Sequence, residues 1–275
     1  MLIPRLLTGI VGGALLLGAI CVGGVGFYLV ILGISLVALR EFYALCRGSG
    51  YAISLPIGLV GGFLITTSIY LNGVSWGALT DNQGTGFILA LLVLTLVIQG
   101  LVKGPSNARV SEWAVTLFGM LFVSGALAHL ILLREMRPMG QMATFLLFGI
   151  VWAADTCAYA AGMRWGKHPL AASISPKKTW EGLAGGLVGA IFVAILFHAF
   201  YFKAALGIPE AIGLAAVMTI IALASDLAES LIKRGADVKD SSNLLPGHGG
   251  LLDRFDAFLL AAPFYYYYWA FFKHG

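Results

Sequence analysis

The chain has 275 residues, of which 59% are hydrophobic and only 11% are charged, and its mean hydropathy is +0.91. An average soluble domain is about a quarter charged, so 17 basic and 13 acidic residues are too few to solvate the surface of a globule this size. This composition excludes an ordinary cytosolic enzyme, a disordered chain and a nucleic-acid-binding module, and it predicts a polytopic helical membrane protein.

Apolar stretches follow one another along the chain, each close to the length of about 20 residues that a membrane-spanning helix needs. They cover residues 6–22, 25–46, 55–73, 85–103, 113–134, 142–163, 180–202, 208–229 and 255–272. Because the runs are continuously apolar and do not alternate as barrel strands do, they predict an all-α fold with about nine transmembrane helices. We expect about four N-terminal helices in 1–110, middle helices in 111–163, and catalytic helices with two long cytoplasmic loops in 164–275.

The basic residues are distributed unequally between the two sides of these spans. On the side that carries the N-terminus lie 13 of the 17 Lys and Arg residues, and 4 lie on the other side. Cytoplasmic loops carry the excess of basic residues. The distribution therefore predicts a multi-pass protein of the inner (cytoplasmic) membrane, with the N-terminus in the cytoplasm and the C-terminus outside.

Glycines four positions apart recur within the apolar stretches. The pairs are Gly58/Gly62, Gly182/Gly186 and Gly185/Gly189. Small residues at this spacing let membrane helices approach closely, so we expect close helix packing at these positions. The spacing does not specify a dimer, and a homodimer stays open.

The first long loop, residues 164–179, ends in two lysines just before a predicted helix. Lys177 and Lys178 precede Thr179, a plausible N-cap for the helix that begins at Trp180. A helix N-terminus beside two cations can bind an anion, although the lysines could equally be a positive-inside anchor. Asp155, inside the sixth span, faces either a wet cavity or a basic partner, because an unpaired charge at membrane depth is costly.

The second long loop and its flanks are rich in ionisable residues. At helical spacing Asp226, Glu229 and Lys233 share one face, and Asp253 and Asp256 are three positions apart where the last span begins. Carboxylates that approach one another beside Lys and Arg suggest a site for Mg²⁺ and phosphate. Zinc fits less well, because the nearby region offers a single soft ligand and no chelating spacing.

Residues 225–234, 239–240 and 245–256 together resemble the signature of the phosphatidate cytidylyltransferase (CDP-diacylglycerol synthase) family. The shared pattern is a serine, Lys233-Arg234, Lys239-Asp240, Pro246-x-His248-Gly249-Gly250 and Asp253-Arg254-x-Asp256. Residues 155–159 and 173–182 also resemble the family, so the motifs cover about 155–256. The chain departs from the family pattern at Met163 and Pro169, where basic residues are expected.

The resemblance implies a divalent-cation-dependent reaction of phospholipid biosynthesis, in which CTP and phosphatidate give CDP-diacylglycerol and pyrophosphate at the membrane surface. It implies Mg²⁺ held by Asp226 and Asp253 with support from Asp256 and Glu229, and it leaves a second cation open. The implied catalytic residues are Asp226, Asp253, Lys233, Arg234 and His248. The implied substrate-binding residues are Ser175, Lys177, Lys178, Thr179, Glu181, Lys239, Gly249, Gly250 and Arg254.

Other classes of membrane protein also carry intramembrane carboxylates. A transporter would more often show pseudo-repeated halves with interrupted spans in matching positions, whereas here the charges cluster in the C-terminal third. A polyprenol-type lipid kinase and an archaeal ether-lipid cytidylyltransferase are closer alternatives, and the released product separates the kinase from a cytidylyltransferase.

Overall fold

A computed structural model describes residues 2–73, 83–245, 247 and 249–273 of the chain. Helices dominate it, in the order that the apolar stretches predict. The helices are α1 (Leu2–Val22), α2 (Gly24–Gly48), α3 (Leu55–Gly73), α4 (Gln83–Lys103), α5 (Arg109–Gly119), α6 (Ala126–Glu135), α7 (Gly140–Trp165), α8 (Trp180–Phe197), α9 (Ile208–Gly235), α10 (Leu252–Phe255) and α11 (Phe258–Phe272). Two π-helical turns, Met120–Gly125 and His198–Phe202, continue α5 into α6 and extend α8.

Seven helical segments within the described residues are long and apolar enough to cross a membrane. They are Gly24–Gly48, Leu55–Asn72, Gly84–Lys103, Arg109–Glu135, Gly140–Trp165, Trp180–Phe202 and Ile208–Gly235. The predicted all-α, multi-pass membrane fold is therefore confirmed, with the count of nine an approximation. The last predicted span is short, because the 15 residues of α11 extend about 22 Å against a hydrocarbon core of about 30 Å.

The two long loops are more ordered than the sequence suggests. The first contains an antiparallel hairpin of β1 (Pro169–Ala171) and β2 (Ser175–Thr179), with Pro169 opposite Thr179 and Ala171 opposite Ser175. The sequence predicted a long loop at 164–179 and did not indicate these two strands. The second loop is shortened at its start, because α9 continues to Gly235 rather than ending at residue 229.

By its internal contacts the chain divides into two units. Unit one comprises Met1–Pro138 and Ile232–Phe255, and unit two comprises Met139–Leu231 and Asp256–Gly275. The last turn of α9 is thus grouped with the N-terminal helices. So is most of the segment 236–256, the signature loop, which follows α9 and carries the rest of the signature. The division into three consecutive segments stays a prediction.

The core of unit one forms around α2, whose buried face includes Phe27, Ile31 and Leu39. A Cβ added to Gly62 of α3 would press on the side chains of Leu39 and Ser124. The predicted close packing at this glycine is therefore confirmed, and it lies within the chain. Ser124, in the first π-helical turn, accepts a hydrogen bond from Ser35 of α2 at 2.9 Å, which satisfies both buried hydroxyls.

A single residue, Gly23, separates α1 from α2 and has a positive φ of 65°. Two consecutive residues at the end of α6 satisfy the two helix ends that meet there. The Arg134 guanidinium donates to the carbonyls of Ile20 (2.5 Å) and Cys21 (3.3 Å), while the Glu135 carboxylate accepts the N–H of Gly24 at 2.7 Å. Both helix ends at this turn have partners of the charge that the helix dipole favours.

Unit two is built on the packing of α8 against α7, through a row of small residues. A Cβ added to Gly185 would press on Ala161 and lie 3.0 Å from the carbonyl oxygen of Cys157, and one added to Gly186 would lie 3.0 Å from that of Ala154. The backbones touch because these positions lack a side chain. The predicted close packing is confirmed here too, between helices of one chain.

Candidate active site

A cavity of about 360 Å³ lies in unit two, among α7, the hairpin, α8 and α9. Its wall is mixed in character. The polar and aromatic lining comprises Asp155, Tyr159, Ser175, Lys177, Lys178, Thr179, Thr219 and Asp226, and the rest is small or apolar, with Ala154, Ala158, Leu170, Gly182, Leu183, Gly186, Ala222 and Leu223. The structure thus brings five of the predicted site residues of this unit to one cavity, together with Asp155.

An ion pair crosses the cavity wall from the hairpin to α9. The Nζ atom of Lys178 lies 2.5 Å from Oδ2 of Asp226, and the two side chains keep 22% and 29% of their surface exposed. Ser230, one turn further along α9, donates to Oδ1 of Asp226 at 3.4 Å. Asp226 is therefore held in place while remaining open to the cavity.

The N-terminus of α8 forms part of the same wall. The Thr179 side chain accepts the N–H of Gly182 at 3.1 Å, so the predicted N-cap is confirmed. Lys177 and Lys178 sit directly before this helix end, and both line the cavity. The lining thus combines two ammonium groups and a helix N-terminus, which favour a phosphate group, with the carboxylates of Asp155 and Asp226, which favour a cation.

Glu181 lies outside the lining of this cavity. Its carboxylate accepts the backbone N–H groups of Lys167 (3.1 Å) and His168 (3.3 Å), and the His168 Nδ1 lies 2.5 Å away. These contacts fix the chain where it enters the hairpin. The predicted contact of Glu181 with substrate stays a prediction.

Unit one contains a second lysine–aspartate pair, which is buried. The Nζ atom of Lys233 lies 2.6 Å from Oδ1 of Asp253, and the two side chains expose only 10% and 5% of their surface. Oδ2 of Asp253 accepts the N–H and hydroxyl of Ser241 and the N–H of Gly250, each at 2.8 Å. Burial by itself raises the pKa of Asp253, but hydrogen bonds from Lys233 and the two amides outweigh it and lower this pKa below its usual value. The carboxylate is therefore charged at neutral pH.

The two glycines of the signature loop allow this arrangement. Gly249 has a φ of +75°, and a Cβ added there would lie 2.5 Å from Oδ2 of Asp253. A Cβ added to Gly250 would overlap the side-chain oxygens of Ser241 and Glu41. The family resemblance implies that both glycines bind substrate, but the Gly250 N–H donates to a carboxylate of the chain itself.

The remaining predicted residues of unit one lie at its surface. An Arg234 Nη1–H donates to the carbonyl of Val238 at 3.0 Å, and Lys239 and Arg254 are exposed. His248, predicted as catalytic, lies outside the described residues.

Two predicted metal supports belong to unit two. Glu229 is buried on α9. Asp256 precedes α11: its backbone carbonyl accepts the Ser225 hydroxyl, and its carboxylate accepts the N–H of Ala257 at 2.7 Å.

The carboxylates suit Mg²⁺ by chemistry but do not form a complete protein site. Over the described residues, no three His, Cys, Asp or Glu side chains are grouped so that they could hold a metal ion. Asp226 and Asp253 each face a lysine ammonium, so each is a position that favours a cation. Mg²⁺ typically takes one or two carboxylates and completes its shell with water and substrate phosphates, which fits the partly exposed Asp226 at the cavity wall. Both oxygens of Asp253 already accept hydrogen bonds within the chain. The shared Mg²⁺ site of Asp226 and Asp253 stays a prediction.

One residue of the candidate site, Glu41, was missed by the sequence reasoning. It is buried near the end of α2 and contacts the signature loop, more than 200 positions away in sequence. The available signal was an acidic residue within a predicted span.

Comparison with known proteins identifies a family and several relatives that match nearly the whole chain. The sequence model of the cytidylyltransferase family matches residues 3–272. The chain is similar to the phosphatidate cytidylyltransferase of Bacillus subtilis, with 33% identity over 271 residues and 98% of both chains covered. The protein of the same name from Brucella suis is 36% identical over 272 residues, covering 98% of this chain and 93% of the relative. That of Synechocystis sp. is 30% identical over 292 residues, covering 96% and 95%. The chain belongs to the cytidylyltransferase family.

Proposed function

We propose that the chain is a phosphatidate cytidylyltransferase of phospholipid biosynthesis. It transfers the cytidylyl group of CTP to phosphatidate, giving CDP-diacylglycerol and pyrophosphate. The family membership and the names of the full-length relatives support this proposal. The observation that carries it in the structure is the cavity of unit two, where two lysines and a helix N-terminus meet an apolar wall.

The lining of this cavity fits the phosphate-bearing end of a substrate. Phosphatidate joins an anionic phosphate to apolar chains, and the cavity places Lys177 and Lys178 beside Leu170, Leu183 and other apolar residues. At about 360 Å³ it is in the size range of small-ligand sites. The lysines would hold a phosphate of phosphatidate or CTP through charge-assisted hydrogen bonds.

The proposed chemistry needs charge neutralisation more than proton transfer. A phosphate oxygen of phosphatidate forms a bond to the α-phosphorus of CTP, and the bond from that phosphorus to the bridging oxygen breaks, so pyrophosphate leaves with the electron pair. The attacking phosphate is already anionic near neutral pH, so a strong general base is not required. Lysine and arginine side chains stabilise the charge on the transferring group. The candidates are Lys177, Lys178, Lys233 and Arg234, with His248 from the signature.

Mg²⁺ is the proposed cofactor, and its ligands would be Asp226 and Asp253, supported by Glu229 and Asp256. When bound, the ion supplies positive charge to phosphate oxygens. The support for this assignment is that both aspartates belong to the signature and that Asp226 is partly exposed at the cavity wall. Lys239, Arg254 and Gly249 are proposed substrate contacts that complete the signature.

We infer from the basic-residue distribution that this site faces the cytoplasm, where CTP is dissolved. The 13 basic residues on the N-terminal side against 4 on the other support an N-terminus in the cytoplasm and a C-terminus outside. Both long loops then lie at the cytoplasmic surface of the inner membrane, where a lipid and a soluble nucleotide can meet.

Purified full-length protein in detergent tests the proposal with CTP, phosphatidate and Mg²⁺. We expect pyrophosphate release that depends on all three components and matches the CDP-diacylglycerol formed. Release of CDP in place of pyrophosphate would identify a lipid kinase. Solute uptake by proteoliposomes without CTP, with neither product formed, would identify a transporter.

A further inference from the structure

Glu41 is a buried carboxylate that binds the signature loop through four hydrogen bonds. Oε1 accepts the Ser242 hydroxyl (2.6 Å) and the Leu251 N–H (3.2 Å). Oε2 accepts the Leu252 N–H (2.7 Å) and lies 3.2 Å from the Ser241 hydroxyl. The side chain is 6% exposed, and within the described part of the chain these contacts come from hydroxyl and amide groups rather than from a cation.

Glu41 and Asp253 hold the same short stretch of backbone. Three consecutive N–H groups are divided between them: Gly250 donates to Asp253, and Leu251 and Leu252 donate to Glu41. Consecutive N–H groups of this kind form a concave anion site, and here two carboxylates of the chain occupy it. The position of the Gly250 amide against Asp253 therefore depends on the anchoring of the next two amides by Glu41.

Ser241 joins the two carboxylates directly. Its Oγ lies 2.8 Å from Oδ2 of Asp253 and 3.2 Å from Oε2 of Glu41. A hydroxyl has one proton to donate, so Ser241 donates a hydrogen bond to one of the two carboxylates at a time. Displacement of Glu41 would thus alter the hydrogen bonding of Asp253 through Ser241 as well as through Gly250.

We propose that Glu41 is a positioning residue, which acts through residues 241–252 to fix Asp253 in the orientation that the reaction requires. This inference rests on the proposed function for its kinetic consequence, but its structural part does not. Outer hydrogen-bond partners of a functional carboxylate or ligand cost about 10–100-fold in activity or metal affinity when removed. Replacement of Glu41 should therefore change both the conformation of residues 241–252 and the activity.

The variant Glu41→Gln keeps the size of the side chain but places an amide NH₂ among hydrogen-bond donors. The matched control is Glu112→Gln, also a buried acid of unit one, whose partners are Lys103 and Arg109. We expect Glu41→Gln to lower kcat about 10–100-fold with the phosphatidate KM nearly unchanged. Glu112→Gln should lose thermal stability without this change in kcat.

Hydrogen–deuterium exchange of the full-length protein in lipid nanodiscs gives a readout that does not depend on activity. In Glu41→Gln, we expect faster exchange in peptides covering 241–252 and unchanged exchange in α3 and α5. Uniformly faster exchange across unit one, or a normal kcat with normal loop exchange, would overturn the proposal. If the wild type shows no CTP-dependent activity but the loop exchange changes as expected, the proposed function fails while the positioning role stands.

A double-mutant cycle with Ser241→Ala separates positioning from direct contact with substrate. If Glu41 acts through the loop, the double variant should lose little more activity than the more impaired single variant, because residues that act as one unit are not additive. Fully additive losses would overturn the positioning role. Ser242→Ala removes one of the four contacts and should show a smaller effect in the same direction, which keeps the proposal testable if Glu41→Gln does not fold.

Discussion

Asp226 and Asp253 face similar lysine partners but differ in how far they are buried. Lys178–Asp226 borders a cavity and keeps roughly a quarter of its surface exposed, whereas Lys233–Asp253 is nearly enclosed. Exposed pairs contribute little to stability, while a buried ion that loses its partner is costly. The same substitution should therefore have different consequences in the two pairs.

We expect Asp226→Asn and Asp253→Asn both to abolish CTP-dependent product formation, but only Asp253→Asn to destabilise the fold. Loss of the Asp253 charge removes one charged partner of the buried Lys233 ammonium, a cost of about 3 kcal/mol, whereas Asp226→Asn should stay within about 1 kcal/mol. Thermal unfolding and pyrophosphate release measure the two effects. The control is Glu210→Gln on α9, which breaks the ion pair between Glu210 and Lys273 and should keep full activity. Near-normal activity in both aspartate variants would contradict the assignment.

Lys177 tests the cavity more directly, because it lines the wall and is exposed. We expect Lys177→Ala to raise the KM for the substrate whose phosphate it contacts by about 10–150-fold, which corresponds to the roughly 1.5–3 kcal/mol of a hydrogen bond to a charged group. Thermal stability should not change. Unchanged KM and kcat would show that this lysine is only a topological anchor.

At the scale of elements, the helices could be predicted well because apolar length determines a membrane span. The ends were less certain: α9 continues to Gly235 and α11 begins only at Phe258. The hairpin was missed because β1 has three residues and no hairpin-turn signature precedes β2. The partners of Asp226 and Asp253 could not be predicted either, since Lys178 and Ser241 are brought to them by tertiary packing that leaves no periodic signal.

Because α7 packs closely against α8, a Gly→Ala substitution between these helices should lower the stability rather than raise it. Gly→Ala in an exposed helix normally stabilises by about 1 kcal/mol, and Gly213→Ala on α9, where an added Cβ meets nothing within 4 Å, should follow this rule. Gly185→Ala should instead lower the thermal stability, because its Cβ would press on Ala161 and the Cys157 carbonyl. Equal shifts in melting temperature for the two variants would contradict the close packing.

For the whole molecule, the unequal distribution of basic residues predicts which loops face the cytoplasm. In a variant without its native cysteines, Ser106→Cys, between Lys103 and Arg109, should react with a membrane-impermeant maleimide only after the cells are permeabilised. Ala204→Cys, beside Lys203 in the loop before α9, should react in intact cells. Both positions are exposed, so the reverse labelling pattern would overturn the orientation.

The junction at Gly23 shows what composition alone leaves undetermined. Exchanging Arg134 and Glu135 would leave length, net charge and mean hydropathy unchanged, yet it would set a carboxylate against the α1 carbonyls and a guanidinium against the α2 amide. We expect this exchange to lower the melting temperature more than replacing both residues with glutamine. Reversed charges oppose the helix dipoles, whereas neutral side chains only lose the favourable interaction with these dipoles. The stability of this turn therefore depends on the order of two neighbouring residues, which length, net charge and mean hydropathy do not record.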